Sequence, residues 1–129
     1  MHVLQSRILL RPRDFARSVA FYEDALGLVR YREWGSQPHR GVVYFLGGGY
    51  LEMTEATRGV PTGSAVRLWL QVADAGEVHR QLLAAGVEVA AAPKRMPWGL
   101  VEMPVVDPDG LELVVVETPK DHPLRRDDR

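Results

Sequence analysis

The chain has 129 residues, 46% hydrophobic and 26% charged, with a formal net charge of −1 and no cysteine. That balance gives no electrostatic case for nucleic acid or an anionic membrane, and it removes disulfides, thiolate metal sites and cysteine nucleophiles together. No apolar run is long enough to span a bilayer, and Arg7, Arg11 and Arg13 break up any signal-peptide stretch, so a cytoplasmic single domain is expected.

In chain order, residues 3–11 read as a strand that Pro12 ends by removing a donor. Asp14 sits where a helix N-cap belongs; Phe15, Val19, Tyr22 and Leu26 follow at helical spacing, and Gly27 supplies the stop. Strands are expected at 28–34, 41–46 and 50–56, the last two joined by Gly47, Gly48 and Gly49. Residues 57–63 read as a linker. A second strand–helix unit follows, with a strand at 65–73 and a helix capped by Asp74 with Glu77 at N3. Val78, Leu82 and Leu83 form its apolar stripe and Gly86 its end. Strands are then expected at 87–92, 100–106 and 111–117, with a turn over Asp107-Pro108-Asp109-Gly110. Residues 118–129 form a charged, solvated tail. The predicted class is α+β, with two βαβββ modules over 3–56 and 64–117.

The modules echo each other sixty residues apart. The run from Arg7 to Asp14 returns from Arg67 to Asp74, and Leu51-Glu52-Met53 returns as Leu111-Glu112-Leu113. Three motifs accompany the repeat: Asp14 with Ser18, Phe21, Tyr22, Leu26, Gly27 and Leu28; Pro97-Trp98-Gly99; and Asp107-Pro108-Asp109-Gly110. Together these resemble the vicinal-oxygen-chelate superfamily of glyoxalase I, extradiol dioxygenases and bleomycin-resistance proteins. The resemblance implies curled sheets forming a cup, commonly in a homodimer. It does not choose a function, because one scaffold hosts several.

In metal-dependent members, the resemblance implies a ligand, often His, seven residues before each capping Asp, and a Glu on the last strand of each module. Counting back gives Arg7 and Arg67. A guanidinium has donors only and stays protonated, so neither arginine can ligate a cation. Glu52 keeps the first carboxylate position. For the second, spacing from Gly110 lands on Val114, whereas the sixty-residue offset favours Glu112; both share a strand face. The expectation is that Arg7 and Arg67 pair with Glu52 and Glu112, with no metal. His2, His39, His79 and His122 read as surface residues, although a rearranged divalent-metal site using His2 or His39 with Glu52 is the alternative.

Strand alternation sends Arg7, Leu9 and Arg11, and in the second module Arg67, Trp69 and Gln71, to the face opposite the core. Tyr50, Glu52 and Thr54 share a face on the fourth strand, and either Tyr44 or Phe45 on the third would add a wall. Trp69 is assigned to ligand contact. Trp34 and Trp98 are ligand plates or simply packing aromatics. Such a site suits a flat, aromatic or partly anionic molecule. The expected function is metal-free sequestration of an aromatic or partly anionic metabolite or antibiotic in a cavity at a dimer interface, as in bleomycin-resistance proteins. The alternatives are a metal-dependent lyase, isomerase or dioxygenase, and a metal-free enzyme with Glu52 or Glu112 as general base.

Overall fold

The computed structural model describes residues 2, 4–55 and 66–122, so the expected linker at 57–63 lies outside the described residues. The chain divides into two compact units, Met1–Thr62 and Gly63–Arg129.

In the first unit the order is β1 (Arg7–Leu10), α1 (Phe15–Val19) running into a π-helical continuation (Ala20–Ala25), then β2 (Arg30–Trp34), β3 (Gly41–Leu46) and β4 (Gly49–Thr54). The sheet order is β1-β4-β3-β2, with β1 parallel to β4 and the other pairs antiparallel. A parallel pair needs a long crossover between its strands, which the helix begins here. The helix starts because the Asp14 side chain accepts from the Arg17 amide at 3.0 Å, and Gly27 ends it at φ 72°. Widening to a π-helix shifts the buried positions: Phe15, Ser18, Phe21, Tyr22 and Ala25 are buried, whereas the expected Val19 and Leu26 are only half-buried. The sheet buries Val42, Tyr44, Leu51 and Met53. The β3–β4 hairpin turns at Gly47, whose φ of 57° matches the first central position of a type II′ turn.

The second unit runs β5 (Leu68–Val72), α2 (Ala75–Ala84), β6 (Lys94–Arg95), β7 (Val101–Val106) and β8 (Glu112–Glu117), in sheet order β5-β8-β7-β6. The Asp74 carboxylate accepts from the Glu77 amide at 3.0 Å, and Glu117 at the end of β8 accepts from the Ala75 amide at 2.9 Å. Strand and helix end therefore share one cap. The return half of the capping box is not made, because Glu77 turns to Arg80 at 2.7 Å. Ala75 and Leu82 are buried, but Leu83 is 53% exposed: one residue is a 100° step around a helix, which takes it off the buried stripe. No helix among the described residues is long and apolar enough to cross a membrane.

Several predicted boundaries need correction. The first strand covers only Arg7–Leu10, so Arg11 stands beyond its end. The strand expected at 87–92 is absent from the ladder; β7 pairs instead with Lys94 and Arg95, opposite Glu102 and Val101. Pro93 stands immediately before this two-residue strand, and the preceding run of alanines carries little side chain to pack. The tail is not wholly solvated, since Thr118 is fully buried and the His122 ring lies 3.2 Å from the Trp98 carbonyl oxygen.

Gly41 is a position of close approach. A Cβ there would lie 2.1–2.6 Å from three atoms of the Trp34 indole, its partner across β2 and β3. Gly41→Ala is expected to displace that ring and destabilise the protein by about 1–3 kcal/mol. Urea denaturation with indole emission as the probe checks it; an unchanged midpoint and spectrum would contradict this packing.

Candidate functional site

On the first unit's sheet, the face opposite the buried Leu51 and Met53 is built from alternate positions of each strand. From β1 it receives Arg7 and Leu9, the latter 67% exposed; from β4 it receives Tyr50 and Glu52. Phe45 lies opposite Tyr50 and is 45% exposed, whereas Tyr44 is fully buried, which settles the wall in favour of Phe45. The β2–β3 pairing shifts register between Arg30 and Arg32. This bulge turns Arg30 to Glu23 on the helix and leaves Tyr31 against Phe45 and Tyr50.

Three rings thus meet: Tyr31–Phe45 and Tyr31–Tyr50 have centroids 5.1 Å apart, and Phe45–Tyr50 5.8 Å. Arg7 stands beside them with its guanidinium 5.7 Å from the Tyr50 centroid. Its Nη1 donates to Glu52 Oε1 at 2.9 Å and its Nε to Gln5 Oε1 at 3.1 Å. The two charged side chains are 29% and 19% exposed, so the pair is half-buried. Tyr31 has no motif to flag it in the sequence. Only the bulge brings it to this face.

In the second unit, Arg67 and Glu112 also pair, at 3.0 Å, but they are about 60% exposed. Trp69 is 49% exposed on β5, and its partner on β8 is Val114; Gln71 lies opposite Val116. Val114 and Val116 are buried in one cluster with Leu100. Trp98 precedes β7, where its indole donates to Glu102 Oε2 at 2.6 Å, holding the loop. Trp34 lies on the edge strand β2, three strands across the sheet from β1, with the Arg32 guanidinium 5.2 Å from its ring. Arg11 joins neither group.

The strand register corrects the reading of the repeat. Leu9 opposes Glu52 in the first unit, and Trp69, sixty residues on, opposes Val114. Val114 is therefore the counterpart of Glu52, and Glu112 that of Tyr50. The Leu-Glu-Met and Leu-Glu-Leu echo is out of step by two residues: Ile8 opposes Leu51, whereas Leu68 opposes Leu113.

The four positions that would ligate a metal thus hold Arg7, Arg67, Glu52 and Val114. The first unit offers one carboxylate beside a guanidinium and the second a guanidinium and a hydrocarbon, and neither set fits a divalent ion. Among the described residues no group of three or more His, Asp or Glu side chains could hold one elsewhere. His39 lies in the β2–β3 loop, its amide donating to the Ser36 carbonyl.

A second feature of the first unit is an open cleft of about 510 Å³ beside α1, lined by Phe15, Val19, Trp34, Arg40 and Val42 among others. Its arginines are already engaged. Arg30 pairs with Glu23 and Glu33, and Arg40 forks onto Glu55 through Nε at 3.0 Å and Nη2 at 2.8 Å. Burial pushes the Tyr44 phenol up to about 12; its oxygen lies close to the Arg30–Glu23 pair yet makes no well-formed hydrogen bond.

A family model described as "Glyoxalase/Bleomycin resistance protein/Dioxygenase superfamily" matches residues 4–115. No curated protein matches the chain. Among solved structures, a glyoxalase-related enzyme from Fulvimarina pelagi is 21% identical with a TM-score of 0.72, covering 91% of this chain and 90% of the other. A superfamily member from Sphaerobacter thermophilus is 23% identical, covering 90% and 98% with a TM-score of 0.68. A lactoylglutathione lyase from Agrobacterium tumefaciens is 22% identical, covering 89% and 92% with a TM-score of 0.65. At these identities the likeness is one of fold.

The Arg40–Glu55 fork has a pH signature. Hydrogen bonds from Arg40 hold the Glu55 carboxyl down to about 2, against an ordinary value of 4.5. The unfolded chain therefore takes up this proton first as pH falls, and protonation favours unfolding. The fork's contribution is complete above about pH 4.5 and lost as the pH approaches 2. Urea midpoints of the wild type and Glu55→Gln are expected to differ at pH 7 and to converge toward pH 2; a constant difference would rule out the ionic contribution.

Proposed function

This chain belongs to the glyoxalase/bleomycin resistance protein/dioxygenase superfamily, and on that premise we propose that it is a binding protein of the bleomycin-resistance type, which sequesters a small aromatic molecule without a metal. The observation that carries this reading is the cluster of exposed Tyr31 and Phe45 with half-buried Tyr50 beside the Arg7–Glu52 pair. The rings, inclined to one another at 41–68° with centroids 5–6 Å apart, present an apolar surface whose loss of water on binding drives association, and a planar guest adds stacking on one of them. Arg7 and Glu52 supply the few polar groups that orient such a guest.

The residue types at Arg7, Arg67 and Val114 support metal independence, because within each unit the position expected to ligate carries a guanidinium, which offers no lone pair to a cation and repels it. The reading includes a homodimer, in keeping with the family resemblance. The exposed apolar side chains of Leu9, Tyr31 and Phe45 need a ligand or a partner surface to cover them. An enzymatic reading would run through Glu52, the one carboxylate on this face among the described residues, acting as a general base within reach of a bound guest.

Titration calorimetry with a panel of planar antibiotics and aromatic metabolites tests the proposal. Binding is expected to be indifferent to a chelator, and Tyr31→Ala is expected to weaken it roughly tenfold, about 1.4 kcal/mol. Loss of binding with chelator and its return with a divalent ion would overturn the metal-free reading.

A further inference from the structure

We propose that the Arg7–Glu52 pair makes this face selective for a neutral ligand group that carries an acceptor and a donor side by side, an aromatic carboxamide, and that it discriminates against the carboxylate of the same shape. This rests on the reading of the aromatic face as the binding site and narrows what it takes.

The argument is an inventory of hydrogen bonds. A guanidinium has five N–H donors. Arg7 uses Nε on Gln5 and Nη1 on Glu52, which leaves Nη2 without a partner among the described residues. Glu52 uses Oε1 on Arg7, and Oε2 accepts no hydrogen bond there. Three N–H groups of Arg7, two of them on Nη2, and the Oε2 atom of Glu52 are therefore left over on bonded side chains, beside the ring of Tyr50. A planar guest resting on Tyr31, Phe45 and Tyr50 brings a ring substituent to this edge. A carboxamide oxygen can accept from Nη2 while its NH2 donates to Oε2, so both half-buried groups are satisfied.

A carboxylate cannot do both. It could accept from Nη2, but it has no donor for Oε2, and its charge would stand beside a carboxylate already bound to the same guanidinium. Glu52 has neutralised the cation that an anionic guest would seek. With the two side chains only 29% and 19% exposed, water screens that repulsion incompletely. Had Arg7 stood unpaired, the preference would be the reverse, since a free guanidinium forks onto carboxylates. In the second unit the Arg67–Glu112 pair is well exposed and its neighbours on the face are Trp69 and Val114, so the same selection is not built there.

The test compares 2-naphthamide, 2-naphthoate and 2-methylnaphthalene by ligand-observed NMR titration at pH 7, with wild-type protein and the variant Glu52→Gln checked for folding by circular dichroism. In the wild type, 2-naphthamide is expected to bind at least about tenfold more tightly than 2-naphthoate. In Glu52→Gln the preference is expected to collapse or invert, because the side chain keeps its shape, loses its charge and leaves the cation exposed to the anion. Equal or tighter binding of 2-naphthoate by the wild type would overturn the proposal, as would a ratio unchanged by Glu52→Gln. If 2-methylnaphthalene binds as tightly as 2-naphthamide, the face reads rings alone; the selectivity then fails while the aromatic-binding reading stands. If none of the three binds, both fail together.

Discussion

The parallel pairing of the first strand of each module with its last is the constraint from which the rest follows. It joins residues about 45 positions apart, Arg7 to Tyr50 in one unit and Leu68 to Leu113 in the other. Because side chains alternate along a strand, that single register decides which residues share a face. It brings Arg7 to Glu52 and both beside Tyr50. The helix between the paired strands exists to make the crossover, and its capping aspartates, Asp14 and Asp74, mark where each crossover begins.

The duplicated architecture was legible because its signals are local. A cap, a left-handed glycine and a hydrophobic period each act within a few residues, and the two Asp caps, Gly27, Gly86 and the hairpin at Gly47 stand where these rules put them. The ion pairs were legible for a related reason, since arginine and glutamate on adjacent strands of one face lie within reach of each other, in the first unit with water partly excluded and in the second without. What escaped was the consequence of insertions. A bulge at Tyr31 reverses the parity of β2, and no residue type announces it. The second Leu-Glu-Leu is slid by two residues against its parallel partner strand, which keeps parity and so leaves the sequence pattern looking intact. The edge strand β6 was misplaced because two residues of pairing leave almost no pattern to read.

That two-residue slip separates likeness of sequence from likeness of place. Glu52 and Glu112 look like copies, yet the position of Glu52 in the second unit belongs to Val114, buried with Leu100 and Val116. The two units have kept one fold and parted in chemistry. The first presents a cluster of aromatic rings and a half-buried ion pair, and the second presents a single exposed Trp69 opposite buried Val114 and a solvated ion pair. Fold symmetry therefore gives no warrant for two equivalent sites.

A metal and an ion pair differ in what they ask of a guest. A divalent cation carries net positive charge into a cup and draws oxygens with lone pairs, the more anionic the better. The Arg7–Glu52 pair brings no net charge, only direction: an unused N–H on one side and an unused oxygen on the other. Electrostatic attraction over distance is lost, and what remains is local complementarity, worth most where neighbouring rings exclude water. An arginine paired with a glutamate therefore differs from a metal in more than charge. On the reading proposed above, such a face selects its guest by the pattern of hydrogen bonds rather than by charge.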